Sequence, residues 1–459
     1  MHKSVKSRSI LRIAPVVVFA LTVAACAGPV RSAEKVDNIA LPAGTALATF
    51  DSLWTKVSKT YVDTAFVSGT WVRVRDSLRP RAAAITSRGD LDALLKEALS
   101  DIPDSHFYII PASVAGDALP SSSADGRGTT GVAVRLAGDQ VVVWRVEPGS
   151  PGALAGVVPG QVVKRVGERE VKGSVSRIES LPEKARQRAI SEMLHKLNGQ
   201  LSPAVADTVV VDLANPALTR SLVATPAEGR ISQFGNLPPI AGLVRFTRMS
   251  AASGPGCIGV IAFNIWLPAL GGDLEKAVDS VRTCSGVVVD LRGNPGGVGA
   301  MVMGFGGYFV DSAISLGTMR TRQVSLRFAI NPRRSRDDGS QRAPFTGPLA
   351  ILVDPMTAST SEIFATGMQR IGRARVFGEK SAGAALPALM ERLPSGDVFV
   401  HAVADFTDPD GMRVEGAGVV PDEIVRLSEK ALKAGRDTAL EAAMRWITSG
   451  SAVRPGLAR

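Results

Sequence analysis

Two short stretches hold residue types able to do nucleophilic chemistry. "TASTSEIFATG" begins at Thr357, one residue after the apolar run "LAILVDP". A hydroxyl at a turn from buried strand to helix is presented at the sheet's C-terminal edge. The first N–H groups of that helix have no intrahelical acceptor and can stabilise an oxyanion. The same residues also suit a cap: Thr357, Ser359 and Thr360 are good N-cap types, with Glu362 close by as capping-box acid. A second strand-like run, "VVVDLRGNPGGVG" (287–299), ends in a glycine loop from Gly293 to Gly299. Such a loop brings further backbone donors to the same sheet edge, which is more than a cap needs. The other stretch, "DSHFYIIP" (104–111), sets His106 beside Ser105 in a chain of 459 residues with only four histidines. A serine needs a partner to take its proton at neutral pH.

These groups must be positioned by the elements around them. Phe50, Leu53, Trp54, Val57 and Tyr61 recur at helical steps, as do Leu91, Leu94, Leu95, Ala98 and Leu99, with Asp90 near the second start. A small helical domain is expected, with His106 just past its last helix. "GDALPSSSADGRGTT" (116–130) reads as a linker. The texture then changes to short strands, with Gly138-Asp139 as a hairpin turn, Pro159-Gly160 as another turn, and an amphipathic helix in "PEKARQRAISEMLHKLNG". From about residue 255 strands and helices alternate, which predicts an α/β layout. "IGVIAFNIW", "LGGDLEKAVDSVRT" and "SGVVVDLRG" form a β-α-β unit with parallel strands starting at the same end. Cys257 and Cys284 precede those two strands. If the strands are neighbours, the cysteines lie within disulfide range, roughly 4.4–6.8 Å between Cα atoms. A disulfide is expected, with two buried thiols as the alternative. "DTALEAAMRWI" predicts a C-terminal helix.

"GSPGALAGVVPGQVVKRVGEREV" resembles the bacterial PDZ domain nearly position by position, over about 118–225. That resemblance implies a peptide-binding loop at Thr129, Thr130, Gly131 and Val132, whose N–H groups hold a C-terminal carboxylate. "VVVDLRGNPGG" followed by "VDPMTASTSEIFATGMQRIGRARVFGEKSAG" resembles the C-terminal processing (tail-specific) protease family, whose catalytic core is shared with tricorn protease. The match runs from about residue 46 to 447. It implies an α/β core of the ClpP/crotonase-like kind and makes Ser359 the nucleophile, with Thr357 and Ser361 as alternatives if the alignment slips by two. The family's Ser–Lys branch has its lysine in a "GE.TFGKG" segment. Here that segment reads "GEKSAGAAL": Ala384 takes the lysine position, and Lys380 comes four residues too early. The tricorn-like branch uses Ser–His with a serine before the histidine and a distant glutamate. Ser105-His106 and Glu415, in "DGMRVEGAGVVPD", match that pattern. The resemblance thus implies His106 as base and then acid, oriented by Ser105 and Glu415, with an oxyanion hole from the N–H groups of Thr360 and Gly296 or Gly297. His195, on the amphipathic helix, is expected in solvent, and His401 is expected to be structural.

The ends and the composition set the context. "MHKSVKSRSILR" and "IAPVVVFALTVAA" read as the basic and apolar parts of a signal peptide. Val23-Ala24-Ala25-Cys26 resembles a lipobox, implying acylation of Cys26 and a membrane anchor. Ala27 after the cysteine points to the outer membrane, with the protein facing the periplasm. Four of the positives behind the net charge of +10 lie in that leader. No dense basic run with interleaved aromatics appears, so nucleic acid is not an expected partner. No metal spacing, P-loop or dinucleotide fingerprint appears, and no cofactor is expected. The expected order is leader (1–25), tether (26–45), helical domain (46–117), PDZ domain (118–225) and α/β protease core with C-terminal helix (226–459). The expected function is an exported, lipid-anchored serine endopeptidase acting on polypeptides presented by their C-termini. The alternative is a catalytically inactive, peptide-binding lipoprotein of the same fold.

Overall fold

The computed structural model describes residues 39–112, 128–214, 216–232, 239–250, 256–336 and 338–450. Cys26, the leader and most of the tether lie outside the described residues. Among the described residues no helix is long and apolar enough to cross a membrane.

Four helices come first: α1 (Thr45–Thr60), α2 (Thr64–Ser68), α3 (Thr70–Ala84) and α4 (Arg88–Ser100). α1 buries Phe50, Leu53 and Val57 along one stripe, and α4 buries Leu91, Leu94, Leu95 and Ala98. Ser87 caps α4 by accepting the Asp90 N–H. Their core is not self-contained. It includes Phe107, Leu386, Leu393, Phe399 and Ala402, which come from strands further along the chain and the residues flanking them. After α4 the chain enters β1 (Phe107–Ile110), which pairs antiparallel with Val398–Ala402, itself paired with Ala388–Arg392. The helical segment therefore ends as a strand built into a sheet with residues 388–402, and this fixes the position of Ser105 and His106.

The second unit is an antiparallel sheet. β2 (Val132–Ala137) and β3 (Gln140–Val146) form a hairpin through Gly138-Asp139, with Gly138 at φ 63°. The sheet continues with Val162–Val166, Thr208–Ala214 and Leu218–Val223. Helix α5 (Glu183–Gln200) covers it with Met193, Leu194 and Leu197. Met356, from a distant part of the sequence, joins this core.

The third unit is a six-stranded sheet. From one edge it runs Val244–Ser250, β4 (Cys257–Phe263), β5 (Gly286–Asp290), β6 (Leu349–Val353), β7 (Arg375–Gly378) and Glu423–Ile424. The first pair is antiparallel and the rest are parallel. β5 and β6 are buried at every residue, as strands covered on both faces must be. Val287, Val289 and Ile351 face a core shared with α6 (Gly271–Val281) and α7 (Thr360–Arg370). Val288, Ala350 and Leu352 face Ala443, Trp446 and Ile447 of α8 (Thr438–Thr448). A disulfide joins Cys257 to Cys284, with Cα atoms 4.7 Å apart, at the common start of β4 and β5. The C-terminal ends of β4 to β7 converge at one edge.

Candidate active site

The Ser359 backbone sits in a conformation that L-residues avoid. Its φ is 55° and its ψ −122°, at the N-cap of α7, and its side chain is fully buried. Among the described residues only three non-glycine residues have positive φ, and two are Ser359 and His106, the latter at 62°. Such strain persists only where surrounding contacts impose it, and it concentrates at functional sites.

Those contacts can be followed bond by bond. The Ser359 N–H donates to the Ala384 carbonyl at 2.7 Å and to Glu362 Oε2 at 3.0 Å. Glu362 also accepts the Ser381 hydroxyl at 2.5 Å and the N–H groups of Gly383 and Ala384 at 2.7 and 2.9 Å. It therefore fastens the serine turn to the segment 381–385 that follows β7. Burial pushes its carboxyl up to about 7 despite these donors. The sequence signalled Glu362 only as a capping acid, because its long-range partners are invisible to local spacing.

One residue further along that segment, the Ala385 N–H donates to Glu415 Oε2 at 2.8 Å. Glu415 Oε2 also accepts the Ser105 hydroxyl at 2.9 Å, and Oε1 accepts the Ser105 N–H at 2.7 Å. Ser105 Oγ lies 2.6 Å from His106 Nδ1. A hydroxyl has one hydrogen. If Ser105 gives it to Glu415, then His106 Nδ1 is the donor to Ser105, and Nε2 is the ring nitrogen without a proton. Glu415, Ser105 and His106 are all buried, and burial raises the Glu415 carboxyl above its ordinary value. Asp104 and Arg413 back this row: the guanidinium grips both Asp104 oxygens, and Tyr61 donates to the same carboxylate.

The glycine loop lies against the serine. A Cβ on Gly296, at φ 102°, would stand 2.6 Å from Ser359 Cβ and 2.9 Å from the Thr360 nitrogen. Thr360 Oγ1 donates to the Gly297 carbonyl at 2.8 Å. Of the two alternative loop donors, Gly296 is engaged: its N–H bonds Asn294 Oδ1 at 3.0 Å. Among the described residues the N–H groups of Gly297 and Thr360 meet no acceptor. Asn294, which the sequence reading passed over, ties the edge together. Its amide donates to the Phe263 carbonyl at the end of β4, and its own carbonyl accepts the Ala358 N–H. The alternative hydroxyls have structural partners. Thr357 donates to the Leu291 carbonyl, and Ser361 accepts from the Trp266 indole.

Other expected residues fall elsewhere. Ala384 packs its methyl with Ala358 and Ala382, so a small apolar cluster stands at the position that a Ser–Lys pattern would give to lysine. Lys380 accepts a bond from Gln187 through its carbonyl. His195 is not in solvent, because its helix face turns toward Arg135 and Asp354. Its Nε2 is enclosed with no partner among the described residues, and burial lowers its pKa. His401 is fully buried between Glu391 and Thr60, stacked on Phe399. In the loop Thr130–Val132 the N–H groups are already spoken for. Thr130 donates to the Leu201 carbonyl, Gly131 to Thr129 Oγ1 and Val132, at 3.5 Å, to Thr130 Oγ1.

Residues 241–425 match the model of peptidase family S41. The chloroplastic C-terminal processing peptidase of Tetradesmus obliquus is 26% identical over 416 residues, spanning 88% of this chain and 81% of that protein. The carboxyl-terminal-processing protease of Picosynechococcus sp. is 24% identical over 386 residues, spanning 81% of each. Among solved structures, the photosystem II D1 C-terminal processing protease superposes with a TM-score of 0.57 at 22% identity, covering 90% of this chain and all of that one. Mature CPAF gives 0.58 at 11% identity, covering 90% and 99%. These two likenesses speak for the mixed α/β fold.

Proposed function

We propose that this chain, a serine peptidase of family S41, is an endopeptidase that forms an acyl-enzyme on Ser359 with His106 as its base. His106 Nε2 takes the Ser359 proton as Oγ bonds to the scissile carbonyl carbon. The oxyanion accepts hydrogen bonds from the N–H groups of Thr360 and Gly297. As the peptide C–N bond breaks, His106 returns the proton to the leaving amine, and water then releases the acyl group by the same steps in reverse. Glu415, acting through Ser105, favours the imidazolium that forms between these steps, the part of the third member of a triad.

One observation carries the reading: the buried row Glu415–Ser105–His106 shares the segment 384–385 with a buried serine held at positive φ. No lysine is needed, in keeping with Ala384. We read residues 118–225 as a PDZ-like domain that presents polypeptide tails, and Cys26 as the acylated anchor to the outer membrane, facing the periplasm. Both rest on sequence resemblance.

The test is casein cleavage and fluorophosphonate labelling of the full chain beside Ser359→Ala, His106→Ala and Lys380→Ala. The expectation is loss in the first two and retention in the third. Retention by His106→Ala with loss in Lys380→Ala moves the base to the lysine. An inert, unlabelled wild type that binds C-terminal peptides is the outcome that favours a binding lipoprotein.

A further inference from the structure

A cleft of about 560 Å³ lies between the β2–β3 hairpin and the edge of the central sheet. Its walls include Gly131, Trp144, Arg145, Arg245, Asn264 and Gly293. It therefore runs from the loop expected to hold a peptide carboxylate to the first glycine of the loop beside Ser359.

Four guanidinium groups line it, and three are neutralised. Arg135 pairs with Asp354 at 2.5 Å, Arg245 with Glu147 at 2.7 Å and Glu228 at 3.1 Å, and Arg292 with Asp290 at 2.6 Å and Asp437 at 2.7 Å. Arg145 differs. Among the described residues it makes no ion pair and no side-chain hydrogen bond. It rests on the Trp144 ring with its guanidinium carbon 4.4 Å from the centroid, and Arg135 and Arg292 approach the same ring at 4.2 and 5.3 Å. The negative ring face eases the crowding of three cations without neutralising any of them. Burial, with Arg292 and Arg135 nearby, lowers the Arg145 pKa, and Asp290 and Glu147 oppose this. A cation held at such a cost, in a fixed planar fork, is preorganised for a carboxylate. The backbone loop opposite does not fill that role, since the N–H groups of Thr130 and Gly131 are bonded within the protein.

We propose that Arg145 is a carboxylate-binding site for the peptide substrate, set on Trp144 in the cleft that leads toward Ser359. The carboxylate is either the chain's C-terminus or an aspartate or glutamate side chain. The proposal rests on the peptidase reading only in taking a peptide as ligand.

Binding to the full chain carrying Ser359→Ala tests it without requiring catalysis. The probes are three fluorescein-labelled, alanine-rich dodecapeptides: one with a free C-terminal carboxylate, its C-terminal amide, and the amide with one glutamate near the end. The expectation is that at least one acidic probe binds about tenfold tighter than the plain amide. Adding Arg145→Gln should abolish that preference, and Arg145→Lys should retain part of it with unchanged thermal stability. Preference for the free acid alone assigns the C-terminus, and preference shared by the glutamate probe assigns any carboxylate. Equal binding of all three probes, or a preference that survives Arg145→Gln, overturns the proposal. Fluorophosphonate labelling of the active chain is indifferent to either result, so the two readings fail separately.

Discussion

At the residue scale the site depends on which hydrogen bonds hold each reacting group still. Glu415→Gln is close in size but turns an amide NH2 toward a donor that the carboxylate accepted, and it removes the charge that favours the imidazolium, so kcat should fall roughly 10²–10⁴-fold with little change in KM. Steady-state cleavage of a fluorogenic peptide reads this, and an unchanged kcat would remove Glu415 from the row. Glu362 makes a separate prediction. Its folded pKa, about 7, lies above its ordinary 4.5. The folded chain therefore keeps a proton that the unfolded chain loses, and stability from this group declines as pH rises between those values. Wild type should lose stability across that window relative to Glu362→Gln in parallel urea melts. The same variant should label slowly with fluorophosphonate, because an amide nitrogen cannot accept the Ala384 and Ser359 N–H groups as carboxylate Oε2 does. Parallel pH profiles for the two proteins would argue that burial of this carboxyl is unimportant.

At the element scale, function depends on how closely the glycine loop approaches the start of α7. Gly296→Ala puts a methyl where Ser359 Cβ and the Thr360 nitrogen already lie, at a φ that alanine avoids. Labelling of Ser359 should drop at least tenfold while the far-ultraviolet circular dichroism stays native, and full labelling would show that the loop can retreat. The disulfide acts on the same sheet from its other end. It closes a loop with a sequence separation of 27 that holds β4 and α6 and ends just before β5. By chain entropy it contributes about 3.5 kcal/mol. Cys257→Ser with Cys284→Ser should lower the urea midpoint accordingly, with kcat little changed, because the bond lies at the end of the strands remote from Ser359. The parallel β-α-β reading anticipated the pair, since only parallel neighbours bring both strand starts together.

At the scale of the whole molecule, three parts of the chain meet at one place. The helical segment delivers Ser105 and His106 on the approach to β1, the central sheet delivers Ser359, and the segment after β7 joins them. The β-rich unit is latched on by Arg135, whose partner Asp354 also accepts the N–H groups of Gly293 and Met356. Burial alone would raise the Asp354 carboxyl, but Arg135 and these bonds hold it below its ordinary value. Arg135→Ala leaves that buried carboxylate uncompensated, at a cost of about 3–5 kcal/mol. Because Asp354 braces both the glycine loop and the turn before Ser359, the variant should also lose activity before it unfolds. Cleavage rate and thermal melting measured on one sample would separate the two, and full activity at temperatures below the melt would deny the coupling.

The order of elements, the parallel sheet and the serine at its strand-to-helix turn were legible in the chain, because period, glycine placement and hydroxyl clusters are local properties. Ser105, His106 and Glu415 were legible as residue types in a matching pattern. Only the tertiary structure decided how they are connected. The Glu415–Ser105–His106 row, the Glu362 hub and the Asn294 tie each join residues far apart in sequence, and spacing carries no record of such contacts. The same reason explains the miss at His195. Its own helix read as amphipathic and solvated, while Arg135 and Asp354, which approach that face, come from two other parts of the chain. The sequence determined which chemistry was available, and packing of three chain segments against one sheet edge decided where that chemistry is held.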